Sequence, residues 1–197
     1  ALELLKEAKT QIPDSLDLYW YWLKLKCRHQ DISANEFNEI KRVSSEVPFK
    51  IHQYNMLKDT VVTMLNPECK GLNSDNAIEL LDILLTNPEL LNNQRRLFQP
   101  HHLKGLVFAA TDRPKEALTE YKTVLNLTHN IEHGLVQVAV LASNGFYSEA
   151  LDHLNDVEKI LDRHAKPSQT LFNTKLDYQA ETARIRKNIL SEIKNHE

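Results

Sequence analysis

A chain of 197 residues is long enough for one sizeable core, or for one continuous stack of small helical units in which each buries its neighbour. With 42% hydrophobic and 26% charged residues, four Gly and seven Pro, it reads as ordered and helical, which excludes a disordered tail and argues against a β-sandwich. The net charge of −3, with no dense basic stripe, excludes the phosphate-neutralising surface of a nucleic-acid binder. No run approaches the roughly 18 apolar residues of a membrane span, so no membrane insertion is expected, and no basic start followed by an apolar run marks a signal peptide. The sequence opens on Ala1, without Met and within helical periodicity, which leads us to expect a domain of a longer protein.

Ala1, Leu4, Leu5 and Ala8 share one face of a first helix over 1–11, which Pro13 follows. Ser15 is a candidate N-cap for a helix running to about His29, which carries Tyr19, Trp20, Tyr21 and Trp22 in succession. Four adjacent aromatics spread around most of a helix, so at least one is expected outside the core or along a groove. Ser33 is placed to cap a helix over 34–46, with Glu36 completing a capping box and Phe37, Ile40 and Val43 facing inward; Pro48 ends it. The spacing of Ile51, Tyr54, Leu57, Val61 and Met64 predicts a helix over 49–65, stopped by Asn66-Pro67. Ser74 or Asp75 is expected to cap a helix bearing Ala77, Leu81, Leu84 and Leu85, which ends near Asn87-Pro88 and leads to a short turn through Leu90 and Leu91.

A helix over 97–110 follows, with Pro100 either near its start or bending it, and Pro114 opens a partner reaching about Leu127. A second pair is expected over 131–144 and 147–162, with Gly145 as the tight link. Pro167 and Ser168 then start a long, mostly polar helix toward Lys194, carrying Phe172, Leu176, Ala180, Ala183 and Leu190.

Between His101 and Leu161 a pattern is written twice: Gly105, Phe108, Ala117 and Tyr121, then Gly145, Tyr147, Ala150 and Leu154. Ala117 and Ala150 lie one period apart, close to the roughly 33 to 34 residues of helical-hairpin arrays. The pattern resembles the tetratricopeptide repeat, and Ala77-Leu81-Pro88 and Ala1-Leu5-Pro13 are similar to its second helix. Where that family carries tryptophan and leucine before the glycine, this chain has His101 and Lys104. The resemblance implies an all-α fold: a right-handed α-α superhelix of hairpins forming one domain over 1–197. Its most regular part would be 97–162, and the capping helix would cover 168–195. It also implies a concave groove lined by the first helix of each hairpin, with Trp20, Lys24, Asn55, Gln99, His102, Val136, Val140 and Asn144 as candidate positions. The function expected of such a groove is non-catalytic binding of an extended protein or peptide segment.

Cys27 and Cys69 fall at the ends of consecutive first helices, which such arrays pack about 8 to 10 Å apart. A disulfide needs Cα atoms about 4.4 to 6.8 Å apart, which the 68–73 connection can achieve; two buried free thiols are the alternative. A bridge would place the protein in an oxidising compartment, free thiols in the cytoplasm.

No catalytic or cofactor motif emerges. Gly71, Gly105, Gly134 and Gly145 stand too far apart for a phosphate loop. His129 and His133 flank a loop, and His101-His102 have no further ligands at metal spacing, so no metal or other cofactor is expected. Glu116 and Glu120 sit at the spacing of a solvated face, and Asn126-Leu127-Thr128 is too common a sequon to carry weight. The layout as a whole, through Pro13-Asp14-Ser15, Pro48-Phe49 and Cys69-Lys70-Gly71, is also similar to the soluble C-terminal tail of bacterial envelope glycan polymerases and ligases. That resemblance implies a periplasmic domain accessory to membrane-borne chemistry. Its partner would be a glycan, an acceptor protein or another subunit of an envelope complex.

Overall fold

The computed structural model describes residues 1–69, 71–93, 96–163 and 178–196, and among them every regular element is helical. In chain order these are α1 (Leu2–Gln11), α2 (Leu16–Cys27), α3 (Ala34–Glu46), a 3-10 turn (Ile51–Gln53), α4 (Tyr54–Met64), α5 (Ser74–Leu85) and α6 (Pro88–Leu91). There follow α7 (Phe98–Ala110), α8 (Pro114–Thr128), α9 (Ile131–Ser143), α10 (Tyr147–Arg163) and α11 (Tyr178–His196). No helix among the described residues is long and apolar enough to cross a membrane. The start expected for the last helix at Pro167 and Ser168, with Phe172 and Leu176, lies outside the described residues.

Local signals explain most boundaries. The Ser15 side chain accepts from Leu18 N at 3.4 Å. Ser33 and Glu36 form the reciprocal box, Glu36 Oε2 accepting from Ser33 N at 2.9 Å while Ser33 Oγ accepts from Glu36 N. Two starts differ from expectation. The helix expected from Phe49 begins at Tyr54, because the buried Gln53 amide accepts from Lys50 N at 2.8 Å and donates to Asp17 at 3.0 Å, holding 51–53 in a tighter turn. α5 is capped by Asn73 rather than by Ser74 or Asp75: Asn73 Oδ1 accepts from Asp75 N and Asn76 N, and Asn76 Oδ1 accepts from Asn73 N.

The chain divides into two compact units, 1–107 and 108–197, with the boundary inside α7. In the first unit, cross-helix bonds give the directions. Tyr19–Glu39 and Lys26–Glu36 make α2 and α3 antiparallel, whereas Asp17–Gln53 and Lys24–Asp59 make α2 and α4 parallel. Lys41–Glu79 sets α3 beside α5, and Lys104–Asp82 sets α7 beside α5. The core between them is built on Leu16, Trp20, Leu23, Ile40, Phe49, Leu57 and Leu81, all fully buried. Asn87, itself fully buried, caps α6 and donates to the carbonyls of Ser44 and Val47 at 3.0 and 2.7 Å, so the end of α3 and the start of α6 share one amide. The buried Ser44 carbonyl and the part-buried Val47 carbonyl thereby each keep a partner.

In the second unit α8, α9 and α10 pack on one another, and α10 packs on α11. Ala117 and Tyr121 on α8 and Ala150 and Leu154 on α10 are all fully buried, as are Ala77 and Leu81 on α5. The two motif glycines are not equivalent: Gly105 is buried inside α7, whereas Gly145 is exposed between α9 and α10 at φ +81°. The small residue at a helix crossing is Gly134 of α9, where an added Cβ would lie 2.5 Å from Val157 Cγ2 of α10. His129 ends α8 in the left-handed region, at φ 50°.

Candidate functional site

The buried residues of α2 are Leu16, Tyr19, Trp20, Leu23 and Cys27, at the spacing of an inward face, together with Trp22 at its edge. This corrects the expectation for Trp20. It is 0% exposed, its Nε1 donates to Ser44 Oγ at 3.3 Å, and its ring centroid stands 6.0 Å from that of Phe49, so it is core and not groove. The aromatic that turns outward is its neighbour Tyr21, 44% exposed. Gln99 is likewise withdrawn: it lies at the start of α7, 5% exposed, with Oε1 unpartnered among the described residues.

Lys24 and Asn55 remain accessible. The half-buried Lys24 donates to Asp59 of α4 at 2.8 Å, and this hydrogen bond is the main influence lowering the Asp59 pKa. One turn before Lys24 stands Tyr21, and one turn after Asp59 stands Val62, 58% exposed. The parallel helices α2 and α4 thus carry an exposed aromatic and an exposed aliphatic side chain on either side of an ion pair. In the second unit Val136 is 55% exposed on α9, Val140 is half-buried, and exposed Asn144 uses its amide to cap α9, donating to Val140 O at 2.8 Å. His102 is half-buried in α7.

A second concavity lies on another side of α2. α1, α2 and α3 enclose a half-open cleft of about 550 Å³. Its floor is made of Tyr19 and Trp22, and its walls carry Lys9 and Lys6 from α1 and Glu36, Glu39 and Arg42 from α3. Lys9, on the inward face of α1, places its ammonium 4.3 Å from the Tyr19 ring centroid and 4.0 Å from that of Trp22, and pairs with Glu39 at 3.2 Å. The Tyr19 hydroxyl donates to the same carboxylate at 2.9 Å. Burial, reinforced by that bond, pushes the Tyr19 pKa up to about 12 and keeps the phenol neutral. Lys26 approaches the Trp22 ring centroid at 5.1 Å and pairs with Glu36, whose carboxyl is held below its usual pKa by hydrogen bonds from Lys26 and Ser33 that outweigh the opposing effect of burial. At the centre of the cleft two ring faces and a carboxylate converge on the Lys9 ammonium, while Lys6, Lys26 and Arg42 against Glu3 and Glu36 leave the lining as a whole slightly basic.

Cys27 and Cys69 are joined by a disulfide with Cα atoms 4.4 Å apart, both side chains buried. Gly71, two residues on, adopts φ +83°, and an added Cβ there would stand 2.5 Å from the Ile32 carbonyl oxygen, so the connection lies tight against the chain after α2. In the second unit His153 Nε2 shares a hydrogen bond of 2.9 Å with Gln137 Oε1, and burial pulls its pKa down to about 4. His129 follows α8 whereas His133 lies in α9, so they share no helix face; among the described residues no three His, Cys, Asp or Glu side chains are grouped to hold a metal. Compared with known proteins, the chain matches no protein-family model, no curated protein and no solved structure.

Proposed function

We propose that the chain is a non-catalytic interaction domain, a right-handed superhelix of tetratricopeptide-like hairpins that holds an extended polypeptide segment along the outward face of its first helices. The observation that carries this reading is the α2/α4 surface, where Tyr21 and Val62 stand exposed beside the Lys24–Asp59 pair. An exposed aromatic next to an aliphatic and a charged pair is the chemistry of a binding anchor with a polar rim. A photo-crosslinking residue at position 21 or 62 should capture one common partner, and the same residue at exposed Asn38 on α3 should not. Equal labelling from position 38 would remove the α2/α4 face as the site.

A second reading is supported by the Cys27–Cys69 bridge, since disulfides persist in oxidising compartments. On it, the domain is the periplasmic accessory part of a membrane-bound glycan polymerase or ligase and recognises glycan, acceptor or another subunit. Thiol titration of the native protein separates the compartments: two titratable thiols would count against the envelope reading.

A further inference from the structure

The α1/α3 cleft goes beyond that reading and does not depend on it. α1 is held differently from the other long helices. Its only buried side chain is that of a lysine, and Leu4 is 71% exposed. α3 and α5 pack directly against each other, whereas between α1 and α3 the cleft of about 550 Å³ stays open. Lys9 reaches across its floor and fills the point where the Tyr19 face, the Trp22 face and the Glu39 carboxylate meet. An ammonium enclosed by two aromatic faces and one carboxylate has the geometry by which proteins recognise ligand cations.

From this arrangement we infer that the cleft is a recognition site for a lysine or arginine side chain of a partner polypeptide, with Lys9 as the resident occupant that such a group replaces. Three observations make replacement feasible. The open volume beside the cage leaves room for an incoming side chain and the backbone that carries it. Lys9 reaches the cage on a long flexible stem from α1, whose apolar Leu2 and Leu5 are only partly buried, so its ammonium can leave by rotation of its own side chain. Once it has left, Glu39 keeps the bond from the Tyr19 hydroxyl and stays oriented for the next cation. Lys26, paired with Glu36, already fills the adjacent cation position on Trp22, so the cleft takes a single incoming basic side chain.

The test uses the whole chain and a capped peptide with one lysine between alanines, with the norleucine peptide as the uncharged control and the free lysine derivative, capped at both ends, as the non-peptide source. Binding is followed through the Trp22 indole NH by NMR. The lysine peptide should bind wild type weakly and saturably, and Lys9→Ala at least tenfold more tightly, while the norleucine peptide binds neither. Equal binding of lysine and norleucine peptides, or no gain on removing Lys9 in a variant whose melting remains cooperative, would overturn the proposal. So would binding of the free derivative as tightly as the peptide, because the open cleft would then contribute nothing. Lys9→Met retains the apolar stem where Lys9→Ala fails to fold, and it must show the same direction of change.

Discussion

Two adjacent rings on α2 have opposite fates, and the contrast can be measured. Trp20→Ala removes a fully buried side chain that also bonds Ser44, and should cost about 3 to 5 kcal/mol. Tyr21→Ala touches an exposed ring and should change stability by less than about 0.5 kcal/mol. Urea midpoints of the two variants check this, and equal losses would mean that α2 is rotated from the orientation described. His153 belongs to the same scale. Its folded pKa of about 4 lies below the ordinary 6.5, so the unfolded chain binds a proton that the folded chain refuses. Its stability contribution is therefore complete above pH 6.5 and is lost as the pH falls toward 4, a change of about 3 kcal/mol. The charged groups acting on the ring are Asp152 and Asp156, which favour its protonation, and Lys122, which opposes it. Melting curves across that interval should flatten in His153→Gln, which keeps a partner for Gln137; an unchanged acid slope would assign the loss to the carboxylates instead.

At the scale of elements, the α9/α10 crossing depends on Gly134. Alanine there gains about 1 kcal/mol of helix propensity, but its methyl meets Val157 Cγ2 at 2.5 Å and Leu125 Cδ1 at 3.3 Å. Val157 is fully buried and β-branched, with essentially one rotamer open to it in a helix, so it cannot step aside. Overpacking wins, and Gly134→Ala should lose about 1 to 2 kcal/mol net, partly recovered by adding Val157→Ala. A higher melting temperature for the single variant would contradict the close crossing. Most elements were legible in the sequence where the signal is local: the Ser33–Glu36 box, the proline stops and the Ala77, Ala117 and Ala150 packing positions all stand where their neighbours in sequence put them. The α5 cap was not, because Asn73 and Asn76 replace the usual Ser or Thr with Glu or Gln. The burial of Trp20 was less legible for a different reason. Which of four consecutive aromatics turns inward depends on α3 and α4, brought to α2 by the fold, although the Leu16, Leu23 and Cys27 stripe did contain the phase that buries Trp20. Lys9 shows the same thing in α1: it falls on the inward face after Leu2 and Leu5, yet only the rings of Tyr19 and Trp22 explain why a lysine is stable there.

For the molecule as a whole, the Cys27–Cys69 bridge acts chiefly on the unfolded chain. It closes a loop of 42 residues, and the loss of freedom in the unfolded state corresponds to about 4 kcal/mol of stabilisation in the chain-entropy account. Reductant, or the pair Cys27→Ala and Cys69→Ala, should lower the urea midpoint accordingly, with little loss of helical circular dichroism in the absence of urea. An unchanged midpoint would mean that the bridge is absent from the folded protein in solution. The bridge also has a mechanical side. A chain pulled from its two ends transmits tension from residue 27 to residue 69 through the two sulfur atoms, so α3, the 3-10 turn and α4 lie in a bypassed loop that carries no load. With about 3.3 to 3.6 Å per extended residue, those 42 positions hide about 14 nm of length that only a reductant can release.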